Sequence, residues 1–244
     1  MQRRIPAKRV FLDIGAHTGE TLSVVRAPRW RFDRVVCFEP APPCWPTLES
    51  MVDERVEVCR FGLWDRTELV ALNNPGAVGA SVARDKDVVE EQELCEFRDA
   101  ADWFSEHLSA DDNVFVKINV EGAEAEIIDR LHQAGQLGKI NHLLIHFDVR
   151  KAPSRQHLER QVRNQLTSSQ IDYQSADEIL FGGVLRGTRN WLLWCEANPR
   201  WRDARYKVLR RWEHAVRVRL YPLKLALSRR GKGSGVHRGS ATGS

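Results

Sequence analysis

Between Val10 and Glu20 the chain reads VFLDIGAHTGE. An apolar run ends on Asp13, and glycines at 15 and 19 let the backbone turn tightly before a helix begins, as in a nucleotide-type pocket. The GxxxG spacing lacks the third glycine with which a dinucleotide fold seats pyrophosphate on a helix N-terminus, so NAD is disfavoured. Glu39 closes the next apolar run, Val35-Val36-Cys37-Phe38. A carboxylate at such a strand end accepts hydrogen bonds from both hydroxyls of a ribose. Asp13, at the adjacent strand end, is placed to receive the charged amino-acid part of a ligand, directly or through water. The ligand implied is S-adenosylmethionine. Its predicted contacts are Asp13, Gly15, Ala16, His17, Gly19 and Glu39, with His17 shaping the pocket rather than reacting.

Transfer of a methyl group from a sulfonium is an in-line displacement, so the protein must align a nucleophile and dispose of its proton. Ligands of open α/β sheets lie beyond the carboxyl ends of the strands, which nominates the ends of the fourth and fifth. Those ends carry the candidate catalytic residues Asn119, Glu121, His146 and Asp148. Alternation along Phe115 to Asn119 puts Lys117 and Asn119 on one face, and His146 and Asp148 share another. The ordinary pKa of His suits a base near neutral pH. The plainer roles are that Glu121 and Glu124 favour a following helix N-terminus, that Lys117 pairs with one of them, and that His146 is a hydrogen-bonded strand histidine. No His, Asp or Glu cluster has metal-ligand spacing, and no metal is expected.

The segments FLDIGAHTGET, VVCFEPAP, FGLWDRTE and VFVKINVEGAEAEII together resemble the FkbM-type methyltransferases, a class I S-adenosylmethionine-dependent group, over roughly Val10 to Val149. The resemblance implies a seven-stranded Rossmann-like doubly wound α/β sheet and methyl transfer to a hydroxyl of a sugar, glycolipid or other secondary-metabolite acceptor. It puts Asp13, Gly15 and Gly19 at the cofactor, Glu39 at the ribose, and Trp64 and Asp65 near the adenine. The family strand ends K-I-D-V-E-G, whereas here Asn119 stands in place of that Asp; Asn hydrogen-bonds but cannot act as a base. The fourth strand also lacks the [DN]-P-P-[FYW] run of amino-methyltransferases of nucleic acids, which favours an oxygen acceptor.

The elements that must position these residues follow from the apolar pattern. Strand-like runs at Arg9 to Ile14, Arg34 to Phe38, Val56 to Leu63, Asn113 to Val120 and Ile140 to Phe147 alternate with helix-like segments, the signature of a parallel sheet wrapped by helices. Helices are predicted up to Arg26, around Thr47 to Val52, near Asp99 to His107, over Gly122 to Ala134 and over Ser154 to Ser168. Thr67 to Val89 is a turn-rich insertion placed to lie over a site. Asn190 to Glu196 (NWLLWCE) reads as a late buried strand.

With 244 residues, 42% hydrophobic and 29% charged, the chain has room for a core, and disorder throughout is excluded. No run approaches the ~20 apolar residues of a membrane span, and the N-terminus lacks a signal-peptide pattern, so a cytoplasmic protein is expected. Five cysteines (Cys37, Cys44, Cys59, Cys95 and Cys195) without a CxxC pair read as reduced thiols. From Arg200 onward there are 13 Lys and Arg against 2 Asp and Glu, and before it 24 against 31. An acidic body thus carries a basic tail. The predicted division is a methyltransferase domain over 1–199, a basic amphipathic helical extension over 200–227 with Leu209, Trp212, Val216 and Leu220 on one stripe, and a disordered tail over 228–244. The stripe and its basic flanks suit either peripheral contact with the inner face of a membrane through residues 200–230 or packing of the stripe on the methyltransferase body, with the arginines solvated or paired with its acidic residues. Two other functions are in competition. A nucleic-acid methyltransferase is disfavoured by the acidic body, and a non-catalytic cofactor-binding protein acting through its tail is favoured by Asn119.

Overall fold

Val10, Phe11, Leu12 and Ile14 are all buried, and a strand apolar on both faces must be covered on both. In the computed structural model, which describes residues 7–77, 80–82, 89–176 and 183–197, this segment is β1 (Arg9–Ile14), a central strand of a six-stranded sheet whose pairings are all parallel. Chain order gives α1 (Glu20–Val25), β2 (Arg34–Phe38), α2 (Trp45–Glu49), β3 (Val56–Cys59), β4 (Gly62–Trp64), β5 (Glu68–Asn73), β6 (Gln92–Asp99), α3 (Ala100–His107), β7 (Asn113–Ile118), α4 (Glu124–Gln133), β8 (Ile140–Ile145), α5 (Leu158–Ser168), β9 (Tyr173–Ser175) and α6 (Val184–Glu196).

The main sheet runs β3-β2-β1-β7-β8-β9. Winding outward from β1 to β3 and then back to β7 makes the gap between β1 and β7 the switch point, where a crevice opens at the carboxyl ends. Val10, Leu12, Ile14, Val116 and Ile118 pack with Phe104 of α3, Ile127 and Leu131 of α4 and Leu166 of α5 on one face. Phe11, Val35, Phe115 and Leu144 pack with Leu22 of α1, Leu48 of α2 and Trp191 of α6 on the other. A smaller sheet, β4-β6-β5, joins a parallel and an antiparallel pair. All five cysteines are buried, and burial lifts the thiols of Cys44 and Cys59 to about 12 and that of Cys95 to about 11.

Several expectations are corrected. Among the described residues the main sheet has six strands, and the seventh of the expected sheet is not among them. Val56 to Leu63 is two strands in different sheets. Asn190 to Glu196 is the C-terminal half of helix α6, which buries Thr188, Trp191, Leu192 and Cys195 at helical spacing. The apolar pattern predicts neither β6 nor β9. The chain divides after Cys195 into two units, and the predicted extension over 200–227 and tail over 228–244 lie outside the described residues. Among the described residues no helix is long and apolar enough to cross a membrane.

Candidate functional site

The switch point between β1 and β7 holds a cleft of about 180 Å³. Gly15, Ala16 and His17 enter it from the loop after β1, Glu39 and Pro40 from that after β2, Asn119, Val120 and Glu121 from that after β7, and His146 from that after β8. The small sheet and the segment beyond it close the cleft with Gly62, Leu63, Leu72, Gly76, Ala77, Ala80, Val82 and Phe97, so the turn-rich insertion does lie over it.

Glu39 is buried, with both oxygens fixed by backbone donors: His17 N–H to Oε2 at 2.7 Å and Ala41 N–H to Oε1 at 2.9 Å. Burial pushes its pKa up, and the two N–H donors oppose that rise. Each carboxylate oxygen keeps acceptor capacity toward the cleft after one such bond. His17 adopts a left-handed conformation with φ 50°. Its Nδ1 lies 3.3 Å from Glu20 Oε1 and its Nε2 3.2 Å from the Gly76 carbonyl, so the glycine turn is tied to the segment above the cleft.

Asp13 is not among the residues that line the cleft. It is fully buried beside Lys117, with Lys117 Nζ 2.9 Å from its Oδ1. Lys117 therefore pairs with Asp13 rather than with Glu121 or Glu124. Its ammonium also donates to the Gly15 carbonyl at 2.6 Å, so Asp13 acts on the glycine turn through Lys117. Burial raises the Asp13 pKa, and the Lys117 charge opposes the rise. The two glycines serve the protein's own packing. A side chain at Gly15 (φ 81°) would overlap the Asn119 carbonyl, and one at Gly19 (φ 90°) would overlap Met51. Gly19, Trp64 and Asp65 are outside the cleft lining; Trp64 packs on Phe97, with ring centroids 5.8 Å apart.

At the other end, the backbone N–H of Asn119 donates to the Ile14 carbonyl at 2.9 Å, while its side-chain Oδ1 is buried with no hydrogen-bond partner. Glu121 (φ 52°) lies 3.1 Å from Lys151, and its carbonyl accepts from Ser81 Oγ at 2.6 Å. Asp148 stands off the lining and pairs with Lys151 at 2.8 Å. His146 does line the cleft, but burial first and the Lys117 charge second hold its pKa at about 3. A ring so reluctant to take a proton is a weaker base than the ordinary value implies. Sequence reasoning missed the apolar wall, because Leu72 and Phe97 lie on β5 and β6, and it missed the Asp13–Lys117 pair, which only strand register brings together.

No family model matches the chain, and no curated protein matches it. Among solved structures it is similar to the crystal structure of Methyltransferase FkbM from Methylobacillus flagellatus KT, with 19% identity, a TM-score of 0.43, and coverage of 68% of this chain and 39% of that one. The chain thus spans well under half the length of that methyltransferase.

Proposed function

We propose that the protein is an S-adenosylmethionine-dependent O-methyltransferase whose acceptor is a hydroxyl of a sugar, glycolipid or secondary metabolite. Glu39 carries the reading: a buried carboxylate, fixed at the end of β2 and opening on the switch-point cleft, presents the paired acceptors that a ribose diol requires. The rest of the cleft fits the same ligand. Pro40, Leu63, Leu72 and Phe97 offer an apolar wall for a flat ring, and Asn119 Oδ1 lacks only a donor. When bound, the cofactor supplies a methyl group activated by its sulfonium charge. Asn119 accepts the hydrogen bond of the acceptor hydroxyl and orients its oxygen, and His146 lines the same cleft with a neutral ring. A proton taken by His146 passes on to water, because burial disfavours the imidazolium.

Calorimetry with S-adenosylmethionine and with NAD tests the reading. The parent protein should bind the first and not the second, and Glu39→Ala should lose about 1–3 kcal/mol of affinity. Equal affinity in Glu39→Ala, or preference for NAD, refutes it. A second reading, a protein that holds the cofactor without turning it over, draws on Asn119 and on the low pKa of His146. Finding no methylated product when extracted glycans and glycolipids are incubated with labelled cofactor would select it.

For residues 200–230 we propose contact with an anionic membrane surface, on the strength of their basic charge and apolar stripe. The intact protein should sediment with anionic liposomes at low salt and be released by high salt; failure to sediment refutes this.

A further inference from the structure

Glu124 opens α4, yet its carboxylate is withdrawn from solvent, with 0% exposure. Its Oε2 accepts the Gly122 N–H at 2.9 Å, and its Oε1 accepts the Val149 N–H at 2.5 Å. Gly122 belongs to the loop after β7, which carries Asn119 and Glu121. Val149 belongs to the loop after β8, which carries His146 and Asp148. A single side chain therefore spans the two loops of the cleft's transfer end.

The backbone explains why a span is needed. Glu121 (φ 52°) and Gly122 (φ 114°) are successive residues at positive φ, a turn whose N–H groups are not taken up by a helical ladder. Val149 lies in the first turn of the 3₁₀ helix Asp148–Lys151, where N–H groups have no partner within the helix. Burying either N–H unpaired would cost free energy, and Glu124 supplies an acceptor to both.

We propose that Glu124 is the positioning residue of this site, a carboxylate staple that fixes the spacing of the two loops and so sets Asn119 and His146 against one ligand. The staple stands on its own geometry; that the ligand is an adenosyl cofactor rests on the function proposed above. Only the carboxylate offers both oxygens as unencumbered acceptors, since a protonated oxygen carries a hydrogen of its own. The charge of Asp148 favours protonation of Glu124, and Asp148 is itself paired with Lys151, which also reaches Glu121. Burial, with Asp148, lifts Glu124 to about 7, so both forms are populated near neutral pH.

The test is Glu124→Gln, which keeps the size but puts an NH2 donor in place of one of the two acceptor oxygens, so that one of the two N–H groups loses its partner. Hydrogen exchange should accelerate at one or both of the Gly122 and Val149 amides by on the order of tenfold or more, with the β1 and β7 amides unchanged. Calorimetry with S-adenosylhomocysteine should show affinity in the parent falling as pH drops through about 7, and a lower, flatter profile in the variant over that range. Unchanged exchange at both amides overturns the staple. Changed exchange with an identical affinity profile overturns its positioning role. If S-adenosylhomocysteine does not bind the parent at all, the cofactor reading fails while the exchange result still decides the staple. Should the variant fail to fold, Glu124→Asp, a carboxylate one methylene too short to reach both N–H groups, takes its place in the same exchange measurement, and unchanged exchange at both amides overturns the proposal.

Discussion

Asp13 and Lys117 stand opposite each other in the β1–β7 register, their charged atoms 2.9 Å apart, and neither side chain is more than 6% exposed. Breaking such a pair from one side leaves a buried charge uncompensated, whereas replacing both by apolar groups removes the problem. Lys117→Met should therefore lose about 3–5 kcal/mol of stability. The double variant Asp13→Leu with Lys117→Met should recover most of that loss. Urea unfolding of the three proteins checks this, and a double variant no more stable than Lys117→Met refutes it.

Gly15 and Gly135 separate two costs of a side chain. Both have positive φ, 81° and 66°, but a Cβ at Gly15 meets the Asn119 carbonyl while one at Gly135 meets nothing within 4 Å. Gly135→Ala should cost only the backbone strain, about 1 kcal/mol. Gly15→Ala should cost more than twice that, because it drives the loops after β1 and β7 apart. Equal shifts in melting temperature would show that the two loops are not in contact there.

Glu124 and His146 pull stability in opposite directions with pH. The folded protein holds Glu124 at about 7 against an ordinary 4.5, so it binds a proton that the unfolded chain has released, and this contribution falls as pH rises from about 4.5 to 7. The folded protein holds His146 at about 3 against 6.5, so this contribution is full above 6.5 and is lost as pH falls toward 3. Between about 4.5 and 6.5 the slopes, each at most about 1.4 kcal/mol per pH unit, offset one another. His146→Gln should gain stability relative to the parent as pH falls through that window, and Glu124→Gln should lose it. Urea midpoints that run parallel to the parent's in both variants would refute the opposition.

Helix α6 buries Trp191 and Leu192 while leaving Leu193 41% exposed. Trp191→Ala and Leu192→Ala should each cost about 2–5 kcal/mol, and Leu193→Ala less than about 1. A strand would pair 191 with 193 instead, so similar losses at those two positions in thermal unfolding would contradict the helix.

The central strands could be read from sequence because they are buried on both faces and so appear as continuous apolar runs bounded by glycine and proline. The same signal misleads at Trp191 to Cys195, where a short apolar run suits a buried helix as well as a strand; the helical evidence lies upstream, in the polar turn from Val184 to Arg189. β6 escapes because Leu94 faces solvent beside buried Cys95 and breaks the alternation that Phe97 would complete. At the site, Glu39 and the glycine turn are local patterns and were legible. Asp13 with Lys117, and Glu124 with Val149, are cross-strand and cross-loop partners whose meeting depends on sheet order.

The buried cysteines turn the molecule into its own unfolding clock. A thiol held at about 11 or 12 presents almost no thiolate at neutral pH, and Cys44, Cys59 and Cys95 are also shielded from reagents in solution. Labelling by an aromatic disulfide will therefore wait for the fold to open. Cys59 in the main core and Cys44 and Cys95 under the small sheet will then report separately which layer yields first.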